Sequence, residues 1–83
     1  MKHLDEVRNI LADVMSLGDR KTSLNEESVL LGDIPELDSM AVVNIITALE
    51  EHFGIAVNDD EINAEAFETL GSLTRFVEQK LAQ

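Results

Sequence analysis

Three features of this 83-residue sequence predict an all-α fold. Apolar residues recur at helical spacing in three separate stretches. Glycines or cap-forming residues stand at the ends of those stretches, and no internal repeat or low-complexity tract interrupts them. The expected architecture is a four-helix bundle over one domain, residues 1–83, with three longer helices, a short third helix, and a long loop between helices 1 and 2.

In the first stretch Leu4, Val7, Leu11 and Val14 form a stripe that Ile10 and Leu17 widen, with Asp5, Glu6, Arg8, Asn9 and Asp13 elsewhere on the wheel. Gly18 is the expected stop, since glycine tolerates the left-handed conformation after a last turn. From Asp19 to Asp38 no period holds, and so long a loop needs anchors. Leu24, Val29, Leu30, Leu31, Ile34 and Leu37 are the candidates to drop onto the core. Ser23-Leu24-Asn25-Glu26 has the spacing of a capping box for one short turn. Gly32 and Pro35 punctuate the approach to the second helix.

That helix is expected over Ser39–Phe53. Val42, Ile46, Leu49 and Phe53, flanked by Val43 and Ile45, give it a broad buried face. Met40, Asn44, Thr47 and Glu51 form the opposite stripe, which leaves Met40 apolar and solvent-facing. Gly54 closes the helix, and Ile55-Ala56-Val57 runs on as an extended link. Asn58-Asp59-Asp60-Glu61 signals a short helix through about Ala64. After Phe67, Thr69 or Ser72 can cap a last helix carrying Leu70, Leu73, Val77 and Leu81, with Phe76 beside them and Lys80 near its C-terminal end.

The net charge of -11, from 17 acids against 6 bases, is extreme, yet the 45% hydrophobic content is that of a folded domain. Such a field repels nucleic acid and anionic membranes and favours basic protein surfaces. Cysteine is absent, which removes disulfides, thiolate metal sites and a thiol nucleophile. The first residues lack the apolar run of a secretion signal and no segment is long enough to span a membrane, so a cytoplasmic protein is expected.

Chemistry converges on Ser39. A hydroxyl at the first turn of a helix lies near unpaired backbone N–H groups and the positive end of the helix dipole, where a phosphate ester is well placed. Position alone also suits an ordinary N-cap, for which Asp38 and Ser39 are both common types. Hydrolytic use of Ser39 lacks support: His3 and His52 are the available imidazoles, His52 lies more than three turns along the helix, and no Gly-x-Ser-x-Gly elbow surrounds the serine. The acid-rich stretch Asn58–Glu68 fails as a calcium loop. Counting from Asp59, Ala64 and Leu70 stand where glycine and a bidentate glutamate are needed. No enzyme and no metal site is expected.

Leu31-Gly32 ahead of Asp38-Ser39-Met40, then Leu49-Glu50-Glu51-His52-Phe53-Gly54-Ile55 and Leu70-Gly71-Ser72-Leu73, resemble the acyl carrier proteins over nearly the whole chain. The resemblance implies an acyl-carrier-like bundle whose Ser39 is esterified by 4'-phosphopantetheine from coenzyme A. A phosphopantetheinyl transferase installs that arm with Mg2+, Asp38 helping on the metal side. The arm's thiol carries acyl groups between acyl-loading and acyl-transfer enzymes, and the apolar faces around Val43, Ile46 and Leu49 serve as both core and guest pocket.

The partner-binding residues expected are Met40, Asn44, Thr47 and Glu51 from the exposed stripe, with Glu50, Asp33 and Glu36 as further acids, on a monomer that, from its charge and segment lengths, neither binds nucleic acid nor inserts into membranes. Fatty-acid-synthesis carriers commonly place acids where this chain has Ala41 and Asn44. Met40 is similar to the Asp-Ser-Met of D-alanyl carriers, and Pro35–Val43 resembles carriers of exosortase and exopolysaccharide systems. The expectation is a carrier in a specialised pathway. The alternatives are a D-alanyl or aminoacyl carrier, or a cofactor-free acidic interaction module using the Met40 face.

Overall fold

The computed structural model describes residues 2–30, 32 and 38–82 of the chain. Three α-helices, α1 (Leu4–Met15), α2 (Ser39–Phe53) and α3 (Leu70–Leu81), are joined by segments that contain 3-10 turns at Gly18–Ser23 and Asp59–Glu61. The helix α1 packs against both α2 and α3. Among the described residues the extended pairing is a single antiparallel bridge between Val29 and Thr69.

The core follows the apolar periods. Val7, Leu11 and Met15 of α1 meet Ile45, Ile46 and Leu49 of α2 and Leu70, Leu73 and Val77 of α3, with Leu30 and Phe67 supplied by the connecting segments. In α2 the buried stripe is rotated from the expected one: Ile45 is fully buried, whereas Val43 is 56% exposed. Leu81 also lies at the surface.

The helix α1 ends two residues earlier than its stripe suggests. Ser16, not Gly18, takes the left-handed cap, at φ 53° and ψ 46°. The reversal returns Leu17 to the core, and its N–H donates to the Ala12 carbonyl at 3.0 Å. A buried leucine thus outweighs the strain of a non-glycine residue at positive φ. Gly18 then begins the 3-10 turn, a structured start to what reads in sequence as loop.

The Ser23 capping box does not form. Ser23 closes the 3-10 turn by donating to the Arg20 carbonyl, and the next turn starts at Asn25, whose Oδ1 accepts from Glu27 N. Leu24 and Leu30 reach the core as expected, but Val29 is 43% exposed and holds the loop through its backbone. Leu31, Ile34, Pro35 and Leu37, together with Asp33 and Glu36, lie outside the described residues.

That loop is anchored on the N-terminus of α3. Leu30 N donates to the Glu68 carbonyl, Leu70 N to that of Ser28, and Gly71 N to that of Glu26, at 2.9–3.0 Å. Helix-start N–H groups, which have no partner inside their own helix, are thereby satisfied. Thr69 and Ser72 form a reciprocal capping box at the same end, each side-chain oxygen accepting from the other's backbone N–H at 3.0 Å.

The short third helix is one 3-10 turn, Asp59–Glu61, and does not continue to Ala64. Glu61 turns its carboxylate back to Asn58 N, and Asn63 opens a separate turn by accepting from Ala66 N. The break leaves Ile62 between the two turns, directed to the core edge.

Candidate functional site

Ser39 is the first residue of α2 and is exposed. The capping work at this helix start is done by its neighbour. Asp38 is extended, with φ -116° and ψ -174°, and its Oδ1 accepts from Ala41 N at 2.8 Å. An aspartate cap also places negative charge at the positive end of the helix. The Ser39 hydroxyl makes no hydrogen bond to a described residue, so it is left as an accessible nucleophilic oxygen.

Beside it runs an open groove of about 520 Å³, bounded by Val42 and Val43 on α2 and by Ile62, Asn63, Ala64 and Phe67 across from them, with Asp38 and Ser39 on the rim. Its walls are mostly apolar. The far wall is fixed from behind by polar contacts. Glu50 Oε2 accepts from Val57 N at 2.8 Å, which ties the link after α2 to that helix. Lys80 Nζ lies 2.9 Å from both oxygens of Glu61 and secures the 3-10 turn to α3. The Asn58 N–H and then the Lys80 ammonium hold the Glu61 carboxyl below its ordinary value of 4.5. Lys80, placed by sequence to favour the α3 dipole, therefore also ties the 3-10 turn just before the groove wall to α3.

The groove differs from the guest pocket read in sequence. Ile46 and Leu49 are enclosed in the core, while Val43 does line the groove. Ile62, Ala64 and Phe67 were not legible as lining. They sit among acids without a helical period, and an irregular apolar set that begins just before Asn63 and runs to Phe67 is the signal they offer.

Of the residues expected to meet partners, Met40 is 67% exposed, and Asn44, Thr47 and Glu51 are exposed with it. Glu50 is half-buried and engaged with Val57. Asp33 and Glu36 lie outside the described residues. The histidines are occupied elsewhere. His52 pairs with Glu6 at 2.9 Å, and His3 with Glu78 at 3.1 Å, each imidazole standing edge-on to Phe53.

An exposed, unbonded hydroxyl at a capped helix start, opening onto an apolar groove, fits an ester-linked arm of mixed polarity. A family model described as a phosphopantetheine attachment site matches residues 5–77. The acyl carrier protein of Wolinella succinogenes is 31% identical over 78 residues, covering 94% of this chain and 96% of that protein. The acyl carrier protein of a Sulfurovum species is 32% identical over 78 residues, covering 94% and 97%. Among solved structures, the solution structure of a holo acyl carrier protein from Nitrosomonas europaea is 67% identical, with a TM-score of 0.93 over all of both chains. No described helix is long and apolar enough to cross a membrane.

Proposed function

This chain belongs to the phosphopantetheine-bearing acyl carrier proteins, and from that premise we propose that Ser39 is the residue that carries the arm. Proteins of this family are carriers and not enzymes. The 4'-phosphopantetheine group supplies the thiol that the chain lacks, on which acyl groups travel as thioesters. The observation that carries the assignment is the division of labour at the start of α2: Asp38 caps the helix, and Ser39 keeps an exposed hydroxyl at the rim of the groove.

The chain's own residues have three roles in this reading. Ser39 Oγ is the nucleophile toward the pantetheine-side phosphorus of coenzyme A's pyrophosphate; the bridging P–O bond breaks, the nucleotide half leaves with that oxygen, and the serine proton goes to a base belonging to the transferase. Asp38 uses Oδ1 for the cap, and its other oxygen would be the one free to assist Mg2+ in the modification complex. Val42, Val43, Ile62 and Phe67 give the arm and the start of its cargo an apolar resting surface.

The partners are a phosphopantetheinyl transferase and acyl-handling enzymes, met by a monomeric single domain in the cytoplasm. A specialised pathway, not bulk fatty-acid synthesis, is supported by the neutral residues Ala41 and Asn44 on α2. A D-alanyl carrier is the second reading, supported by the exposed Met40 after Ser39.

Incubation with coenzyme A, Mg2+ and a broad-specificity transferase is expected to add one phosphopantetheinyl group by intact mass. Ser39→Ala should remove that addition while leaving the circular dichroism spectrum and melting curve unchanged. A wild-type chain that stays unmodified with several transferases, or an alanine variant modified as fast as wild type, would overturn the assignment.

A further inference from the structure

We propose that the enzyme that modifies Ser39 docks on α2 through an apolar, uncharged face that receives Met40 and Val43, not through a basic patch. The inference rests on Ser39 as the attachment residue. An enzyme that brings a phosphorus atom within bonding distance of Ser39 Oγ must cover the helix turn around it. That turn therefore belongs to the interface.

Its chemistry is unusual for this chain. Residues 39–49 contain no Asp, Glu, Lys or Arg in a protein of net charge -11. Of the large apolar side chains that stand exposed among the described residues, two are Met40 at 67% and Val43 at 56%, on adjacent turns of one face. Thr47 continues the stripe. Its hydroxyl donates back to the Val43 carbonyl at 3.0 Å, so toward a partner it offers a methyl group and an acceptor.

Among the described residues, the acids that bound this patch are poorly placed for pairing at Ser39. Asp38 commits one oxygen to the cap and, in the reading above, the other to Mg2+, and Glu50 is engaged by Val57 N. Glu51 lies twelve residues along the helix from Ser39. At a rise of 1.5 Å per residue that is about 18 Å, roughly twice the distance over which physiological salt screens exposed charges. A basic patch over Ser39 would be desolvated against neutral side chains, whereas an apolar pocket would gain by covering Met40 and Val43.

The test is the modification reaction followed by intact mass with a broad-specificity transferase, between about 0.05 and 0.5 M sodium chloride. Met40→Ala is expected to raise KM about tenfold with kcat unchanged, and Met40→Leu to restore it. The ratio of kcat/KM between wild type and Met40→Ala should hold constant across the salt range, because dividing one by the other cancels salt effects on the transferase itself.

The proposal is overturned if Met40→Ala stays within about twofold of wild type, or if Glu51→Gln or the Asp33→Asn/Glu36→Gln pair raises KM more than Met40→Ala does. Failure of the Ser39 assignment is separate and visible first, as a wild-type chain that gains no mass.

Discussion

The starts of α2 and α3 use the same vocabulary of side chains for opposite ends. At α3, Thr69 and Ser72 cap reciprocally, and loop carbonyls from Glu26 and Ser28 close over the remaining N–H groups. Every hydroxyl there is engaged. At α2, Asp38 caps alone, Ser39 and Met40 face solvent, and the first turn carries no further acid. One helix start is built into the fold and the other is presented by it. A serine near a helix N-terminus is thus read by which neighbour already satisfies the backbone.

The sharpest way to break the sealed end is Gly71→Ala. Alanine normally favours a helix interior over glycine by up to about 1 kcal/mol. Here its Cβ would stand 2.7 Å from both the carbonyl oxygen and Cγ of Glu26, and a backbone oxygen cannot swing aside. The 2.9 Å bond from Gly71 N to that carbonyl would have to stretch. The clash wins, and a net loss of about 2 kcal/mol is expected in urea unfolding. An unchanged or raised midpoint would show that the loop yields freely.

The two serines give the direct comparison. Ser72→Ala removes an acceptor for Thr69 N and a donor to the Ala66 and Thr69 carbonyls, and should cost about 1.5 kcal/mol. Ser39→Ala removes a hydroxyl without a partner among the described residues and should stay within about 0.5 kcal/mol of wild type. Equal losses at both positions would refute the contrast. Asp38 sharpens it further: Asp38→Ala should cost about 1 kcal/mol, whereas Asp38→Asn keeps a capping oxygen and should be nearly neutral. If Asp38 also serves Mg2+, the asparagine variant will melt like wild type yet gain phosphopantetheine more slowly.

The open end was legible in sequence and the sealed end only partly. Ser39–Phe53 has a strong period, an acid just before it and Gly54 just after, so local signals agree, and Gly54 takes the left-handed cap at φ 66°. The capping pair at α3 could also be read, because Thr69 and Ser72 are three residues apart. What could not be read is the contact of residues 26–30 with α3, since backbone carbonyls leave no trace in side-chain pattern. The same limit hid the Ser16 cap, which depends on Leu17 finding the core. It hid the groove as well, because the wall containing Ile62 and Phe67 is set opposite α2 by contacts between residues far apart in sequence, such as Lys80 with Glu61.

The smallest expected effect concerns that wall and its response to pH. Glu61 is held below 4.5 by Asn58 N and then Lys80, so its carboxylate is favoured in the folded chain relative to the unfolded one. Its contribution is complete above the unfolded value and is lost as pH falls through the depressed folded value. Protonation across the acidic surface relieves self-repulsion over the same range, so the raw stability curve mixes two opposing trends. The difference between wild type and Glu61→Gln isolates the residue. That difference should be constant from neutrality down to about pH 5 and shrink toward zero below 4.5. The glutamine variant should also loosen the groove without unfolding the bundle, seen as shifts at Ile62 and Phe67 in NMR spectra while Val7 and Leu11 stay in place. If the Ile62 and Phe67 signals do not move, Lys80 and Glu61 do not hold the wall, and the groove is shaped by the packing of Phe67 alone.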